Sequence, residues 1–303
     1  MRVFSEEKRS GSIETLLTLP VTARSVVAGK FIASFISCAM LLVPTLFYVI
    51  TCALLGEVDS GPIIGGYIGS LLLAASYCAI GIFSSAMTKN QIVAFFISFA
   101  ICAFLSFCGM FAILLPPALV KFVTAISSTL HFESISRGIL DSRNVIYFLS
   151  LTAVFYVFTI IAVEDSKKKN PMTDKILFVA AIILLNLVCS KAFIRADLTN
   201  AKSYSLSQSS IQTVRTLEEP LQIKVFFSEN LPSDQNSVSQ YVKDMLSEYK
   251  TAAGKNLSVE FYNADKEENA RLASEYGLQQ IQIQEIYVVI LILKLIYVNL
   301  III

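Results

Sequence analysis

Five long runs almost free of charge constrain this chain more than any other feature. Residues 31–55, 62–87, 91–120 and 145–163 contain no Asp, Glu, Lys or Arg, and residues 176–194 contain only Lys191, placed near the end where it can snorkel. Crossing ~30 Å of hydrocarbon takes ~20 apolar residues in a helix. The runs are internal and too long for a secretory signal, and five in one chain do not fit a soluble helix bundle. Pro116 and Pro117 are expected to end the third helix near Leu115.

The charges are distributed to match. Charged residues make up 16% of the 303, against about 25% in a typical soluble domain. Residues 31–163 hold only Glu57, Asp59, Lys89, Lys121, Glu133, Arg137, Asp141 and Arg143, whereas residues 195–285 hold 22 of the 47. A membrane-embedded part is therefore joined to a water-soluble part. A net charge of +1 points to no nucleic-acid partner. The span interiors lack the ionisable groups that proton relays and ion-coupled carriers use, so any driving energy is expected from another subunit.

Lysine and arginine set the expected orientation. Arg2, Lys8, Arg9, Arg24 and Lys30 precede the first span, Lys89 follows the second, and Lys167, Lys168, Lys169 and Lys175 follow the fourth. These lie inside; Lys121, Arg137 and Arg143 lie in the outer loop, and the fifth span delivers residues 195 onward outside. Gly65 and Gly69 form a G-x-x-x-G that permits close helix contact. In the outer loop, Leu119, Phe122, Val123, Ile126 and Leu130 recur at helical spacing, either as an amphipathic interfacial helix or as one buried against the spans. The six cysteines all sit in apolar stretches without a C-x-x-C pair, and His131 is the one histidine, so neither a disulfide framework nor a metal site is expected.

Residues 4–21, FSEEKRSGSIETLLTLPV, are charged, then amphipathic through Ile13, Leu16 and Leu17, then stopped by Pro20. This segment resembles the cytoplasmic coupling segment of ABC-2 type permeases. Together with Gly29-Lys30-Phe31 and Ser136-Arg137-Gly138-Ile139-Leu140-Asp141, it is similar to the gliding-motility-type branch of that group. The resemblance covers residues 1–163 and is most specific over 4–31. It implies that Glu6, Glu7, Gly11, Glu14 and Pro20 dock a separate ABC ATP-binding subunit, that ATP stays on that partner with no cofactor in this chain, and that the chain is a non-catalytic subunit, with a second permease copy or homo-oligomer as a further partner. Such permeases have six spans, two of them ahead of this motif. Only four follow here, so two are expected to be missing through a shortened gene, a misassigned start or a broken frame.

Residues 195–285 change character. Leu221, Ile223, Val225 and Phe227 alternate as in a strand; Asp234 is a candidate N-cap; Val238, Tyr241, Val242, Met245, Leu246 and Tyr249 have helical spacing closed by Gly254; Leu257, Val259 and Phe261 alternate again, and 265–276 suggests a further helix. This order predicts a βαβ unit with a parallel sheet. The motifs R-x-D-L-T (195–199), K-x-Y-S-L-S (202–207) and E-P-L-x-I-K-V-F-F-S-E-N-L-P (219–232) resemble the auxiliary subunit that accompanies gliding-motility-type ABC permeases. Residues 286–303, almost purely Ile, Leu, Val and Tyr, are discordant with a solvated domain, and a shifted reading frame is the preferred explanation.

The expected fold is therefore an α-helical polytopic membrane protein of about five transmembrane helices, followed by a small extracytoplasmic α/β domain. Its parts are a permease region (1–163, with spans 31–55, 62–87, 91–115 and 145–163), a cytoplasmic linker (164–175), an anchor helix (176–194), a partial auxiliary domain (195–285) and the tail (286–303). The expected function is the permease subunit of an ABC exporter in the bacterial inner membrane. The alternatives are a membrane anchor presenting the α/β domain, or a nonfunctional gene fragment.

Overall fold

The computed structural model describes residues 2–13, 21–114, 117–164, 195–200, 202, 205–216, 221–228 and 233–278. The linker after Glu164, the anchor helix and the tail lie outside these residues, as do Glu14 and Pro20. Two compact bodies are present, residues 1–221 with 230–258, and residues 222–229 with 259–303.

The first body begins with a short helix, α1 (Arg2–Ser10). Four helical stretches long and apolar enough to cross a membrane follow among the described residues. The first is in two pieces, α2 (Ala23–Leu42) and α3 (Leu46–Leu55), separated by the 3₁₀ turn Val43–Thr45. Pro44 causes the break, since it lacks the N–H that would continue the ladder. Thr45 supports the break, donating to the Leu42 carbonyl at 2.6 Å and meeting the Tyr67 hydroxyl at 2.8 Å. The other three are α4 (Ser60–Met87), α5 (Gln91–Phe107) and α8 (Ser142–Glu164). Side-chain caps fix three starts: Thr22 accepts from the Ser25 N–H, Asp59 from Gly61 and Asn90 from Ile92. The outer surfaces are apolar, with Leu41 75%, Phe47 75% and Leu55 88% exposed, as lipid contact requires.

Helix α5 stops being α-helical at Phe107 and continues as a 3₁₀ turn, Cys108–Leu114, before Pro116 is reached. Thr129 takes the Ser106 carbonyl at 2.7 Å, one of the acceptors an α-helical continuation would use. The expected outer-loop helix is in fact two, α6 (Pro117–Ile126) and α7 (Ser128–Ser136). In α6, Val120 is buried while Leu119 and Phe122 are exposed, so one face packs and the other is left apolar.

Beyond α7, strand β1 (Ile139–Asp141) pairs antiparallel with β2 (Arg195–Asp197), with Ile139 opposite Asp197 and Asp141 opposite Arg195. Asp141 is 2% exposed. Its carboxylate accepts from the Arg143 backbone at 2.9 Å, pairs with the Arg143 guanidinium and lies 3.9 Å from Arg195. Asp59 also accepts from the Asn200 N–H at 3.0 Å. The 56–60 loop, α7, β1 and β2 thus gather at one end of the spans, with α1 at the other.

Helix α4 is the hub, packing against α1, α2, α5, α7 and α8. Its G-x-x-x-G faces α7 rather than a second span. A Cβ on Gly65 would collide with the Ile135 carbonyl, and one on Gly69 would press on the Phe132 ring at 3.2 Å. Gly138, at φ +88°, lets the chain turn against Gly61.

His131 on α7 stacks on Tyr147 at 4.1 Å, reaches Asn144 with Nδ1 at 2.7 Å and the Ala125 carbonyl with Nε2 at 3.2 Å. It is a packing histidine, and burial lowers its pKa from 6.5.

After β2 the first body contains α9 (Gln208–Arg215) and α10 (Ser233–Ala253), which pack together. Helix α10 begins at Ser233, placing Asp234 within its first turn rather than at the cap. Gly254, at φ +66°, closes it. The second body carries most of β3 (Leu221–Phe227) and β4 (Leu257–Asn263), hydrogen-bonded as a two-stranded sheet, with α11 (Glu267–Glu275) after them. Gln222 bonds Glu260, and Phe227 accepts from Ala264 at 3.0 Å, so the pairing advances in the same direction along both strands. The strand–helix–strand order is as expected, but α10 belongs to the first body. A two-stranded sheet offers too small a face to bury its apolar stripe.

Gly65→Ala is expected to lower thermal stability in detergent by about 1–3 kcal/mol, the cost of overpacking, whereas Gly66→Ala, with nothing within 4 Å, leaves it unchanged. The lowered His131 pKa means that the unfolded chain takes up a proton first as pH falls. Stability should therefore drop as pH passes below 6.5, and melting curves of His131→Gln should show a shallower slope there.

Candidate coupling site

Helix α1 lies outside the spans, yet six of its nine residues, Arg2, Val3, Phe4, Ser5, Glu7 and Lys8, are tied into them. Val3, Phe4, Glu7 and Lys8 share one face by helical spacing. Phe4 is fully buried in a cluster with Ile13, Val27, Ile82, Ala86 and Val163, which joins α1 to α2, α4 and α8.

The polar contacts cap two helices reciprocally. The first N–H groups of a helix have no partner within it. Those of Phe4 and Ser5 both donate to the Ser85 hydroxyl of α4 at 3.0 Å. In return, Lys8 donates to the Ala86 carbonyl, one of the last in α4, where a cation also suits the helix dipole. Burial, and then repulsion from Lys89, lower the pKa of Lys8.

Lys30 of α2 completes the attachment. Its ammonium donates to the Val3 carbonyl at 2.6 Å, pairs with Glu7 at 2.5 Å and sits 4.3 Å above the Phe4 ring. The Lys30 and Glu7 side chains are 19% and 31% exposed, so the pair is partly shielded from solvent.

This separates the expected docking residues. Glu6 is exposed, 3.4 Å from Arg2 in an i,i+4 pair of the kind that contributes little at a surface. Gly11 is exposed and ends α1 at φ +78°. Glu7 faces inward and braces α1. Glu14 and Pro20 lie outside the described residues. Sequence reasoning missed Phe4, Lys8, Lys30 and Ser85. The available signal was the spacing of Val3, Phe4, Glu7 and Lys8, which puts two charges of the E-E-K-R run on the apolar face.

A family model described as ABC-2 family transporter protein matches residues 1–198. The chain belongs to the ABC-2 transporter family. It is accordingly a multi-pass membrane protein and a transporter component, and membership implies an ABC ATP-binding partner. The match runs to Leu198 and so includes β2, whose ladder with β1 lies in the same body. Residues 200–302 match a domain of unknown function (DUF7088). No curated protein and no solved structure matches the chain.

Ser85→Ala removes the cap of α1, which costs about 1 kcal/mol. Hydrogen exchange in the 2–13 peptide should therefore accelerate about fivefold. Lys30→Met should accelerate it at least as much, whereas Glu6→Gln should leave it unchanged.

Proposed function

We propose that this ABC-2 family member is the permease subunit of an exporter of the gliding-motility type. In this reading the α1 end faces the cytoplasm, and a separate ATP-binding subunit docks on Glu6, Gly11, Glu14 and Pro20, with Glu7 bracing α1 from behind. The observation that carries the reading is the attachment of α1. Phe4, Lys8, Ser85 and Lys30 clamp it to the ends of α2 and α4, leaving Glu6 and Gly11 exposed. A push on the exposed face is thus delivered to α4, the helix against which the other spans pack.

Arg2, Lys8, Arg9, Arg24, Lys30 and Lys89 support the orientation, while the 56–61 loop carries only Glu57 and Asp59. The region from residue 195 then emerges on the outer side. Its motifs support reading it as part of an auxiliary domain fused to the permease.

The test is affinity purification of the tagged chain from detergent-solubilised native membranes. An ATP-binding-cassette subunit should co-purify, and Glu6→Lys should remove most of it while leaving exchange in the α1 peptide unchanged. Full recovery of the partner with Glu6→Lys defeats the docking assignment, and a stable chain without such a partner defeats the permease reading.

A further inference from the structure

The spans bring together two thiols that lie 40 residues apart in the chain. Cys38 of α2 and Cys78 of α4 meet with their sulfurs 3.5 Å apart, one thiol donating to the other. Both side chains are half-buried, and α2 and α4 pack against each other. A disulfide bond is about 2 Å long, so the sulfurs have only about 1.5 Å left to close.

The depth of the pair decides what can oxidise it. Cys78 lies nine residues before the end of α4 at Met87, and Cys38 fifteen residues after the start of α2 at Ala23. At about 1.5 Å per residue the nearer helix end is about 14 Å away, which places the pair within the hydrocarbon. A water-borne disulfide such as oxidised glutathione does not reach that depth. A quinone dissolved in the bilayer does, and it accepts two electrons and two protons.

The place of the pair in the attachment of α1 gives oxidation a consequence. Helix α2 carries Lys30, which holds Val3 and Glu7, and α4 carries Ser85, which caps α1 through Phe4 and Ser5. Cys38 is eight residues along α2 from Lys30, and Cys78 is seven residues along α4 from Ser85. A covalent bond at this point fixes the spacing of the two helices to which α1 is fastened.

We propose that Cys38 and Cys78 form a redox-modification site, which a bilayer-dissolved quinone oxidises to a disulfide joining α2 to α4. Two S–H bonds break and one S–S bond forms; the two electrons and two protons pass to the quinone, which leaves as hydroquinone. As thiols the pair lets the helices shift against each other, and as a disulfide it makes them move as one. Given the coupling role proposed for α1, on which this consequence rests, oxidation prevents a push on α1 from separating α2 and α4.

The full chain in lipid nanodiscs tests this, with a short-chain ubiquinone and oxidised glutathione as the two oxidants. Free thiols are then alkylated and the peptides mapped by mass spectrometry. The quinone should convert most chains to the Cys38–Cys78 disulfide, and oxidised glutathione should yield little of it. Hydrogen exchange in the 2–13 peptide should slow in the oxidised chain, because α1 bridges the joined helices. Cys38→Ala and Cys78→Ala should each lose both the product and the slowing, whereas Cys102→Ala, on α5, should keep both. No disulfide with the quinone overturns the proposal, as does a product that pairs either thiol with Cys102 or Cys189. Equal yield from oxidised glutathione, or unchanged exchange in the oxidised chain, also overturns it. The measurement uses this chain alone, so its failure is distinct from failure of the permease reading, which co-purification decides.

Discussion

Inside a membrane the hydrophobic effect gives two apolar helices no reason to associate, because lipid tails are as apolar as leucine. Contact must come from close packing and from polar groups that find partners. Helix α4 meets this constraint along its length. At one end Gly61, Gly65 and Gly69 leave room for the backbones of Thr199, Ile135 and Gly138 and for the Phe132 ring. At the other end Ala79, Ser84, Ser85 and Ala86 are fully or almost fully buried. Ser84 returns its hydroxyl to the Ile80 carbonyl of its own helix, while Ser85 accepts the leading N–H groups of α1. A larger side chain at these positions would separate the layers that α4 holds together.

The two ends of the spans solve the same problem differently. At the α1 end, helix termini satisfy one another, with a serine of α4 capping α1 and a lysine of α1 capping α4. At the other end, an Asp141 carboxylate withdrawn from solvent is offset by two arginines, and a short ladder closes the gap between segments more than fifty residues apart. Removing either arginine leaves a buried charge undercompensated, a large penalty in a medium of low dielectric constant. Both ends are therefore held by contacts between segments distant in the chain.

Much of the fold was legible in the sequence because the membrane filters composition harshly. The absence of charge over residues 62–87 and 145–163 admits few alternatives to a span, and the small residues of α4 announced close contact. Which partner makes that contact was not legible, since a glycine stripe records only that something approaches. Glu6 and Glu7 show the same limit within the candidate site. They are adjacent and chemically alike, yet one points to solvent and the other is locked to Lys30, because the helix turns about 100° per residue and Phe4 decides which side is buried. Pro44 and Thr129 likewise break helices at places that hydropathy averages over.

The sequence by itself determined the four described spans, their polarity of charge, and the short charged helix ahead of the first of them, since each follows from local composition and period. The tertiary structure alone decided that S-R-G-I-L-D and R-x-D-L-T, more than fifty residues apart, form one ladder. It also decided that α10 belongs with the first body rather than the sheet, and that half of a charged run serves as a clamp. These outcomes depend on residues far apart in the chain meeting in space, and pairwise burial, hydrogen-bond satisfaction and steric fit are properties of the meeting rather than of either segment.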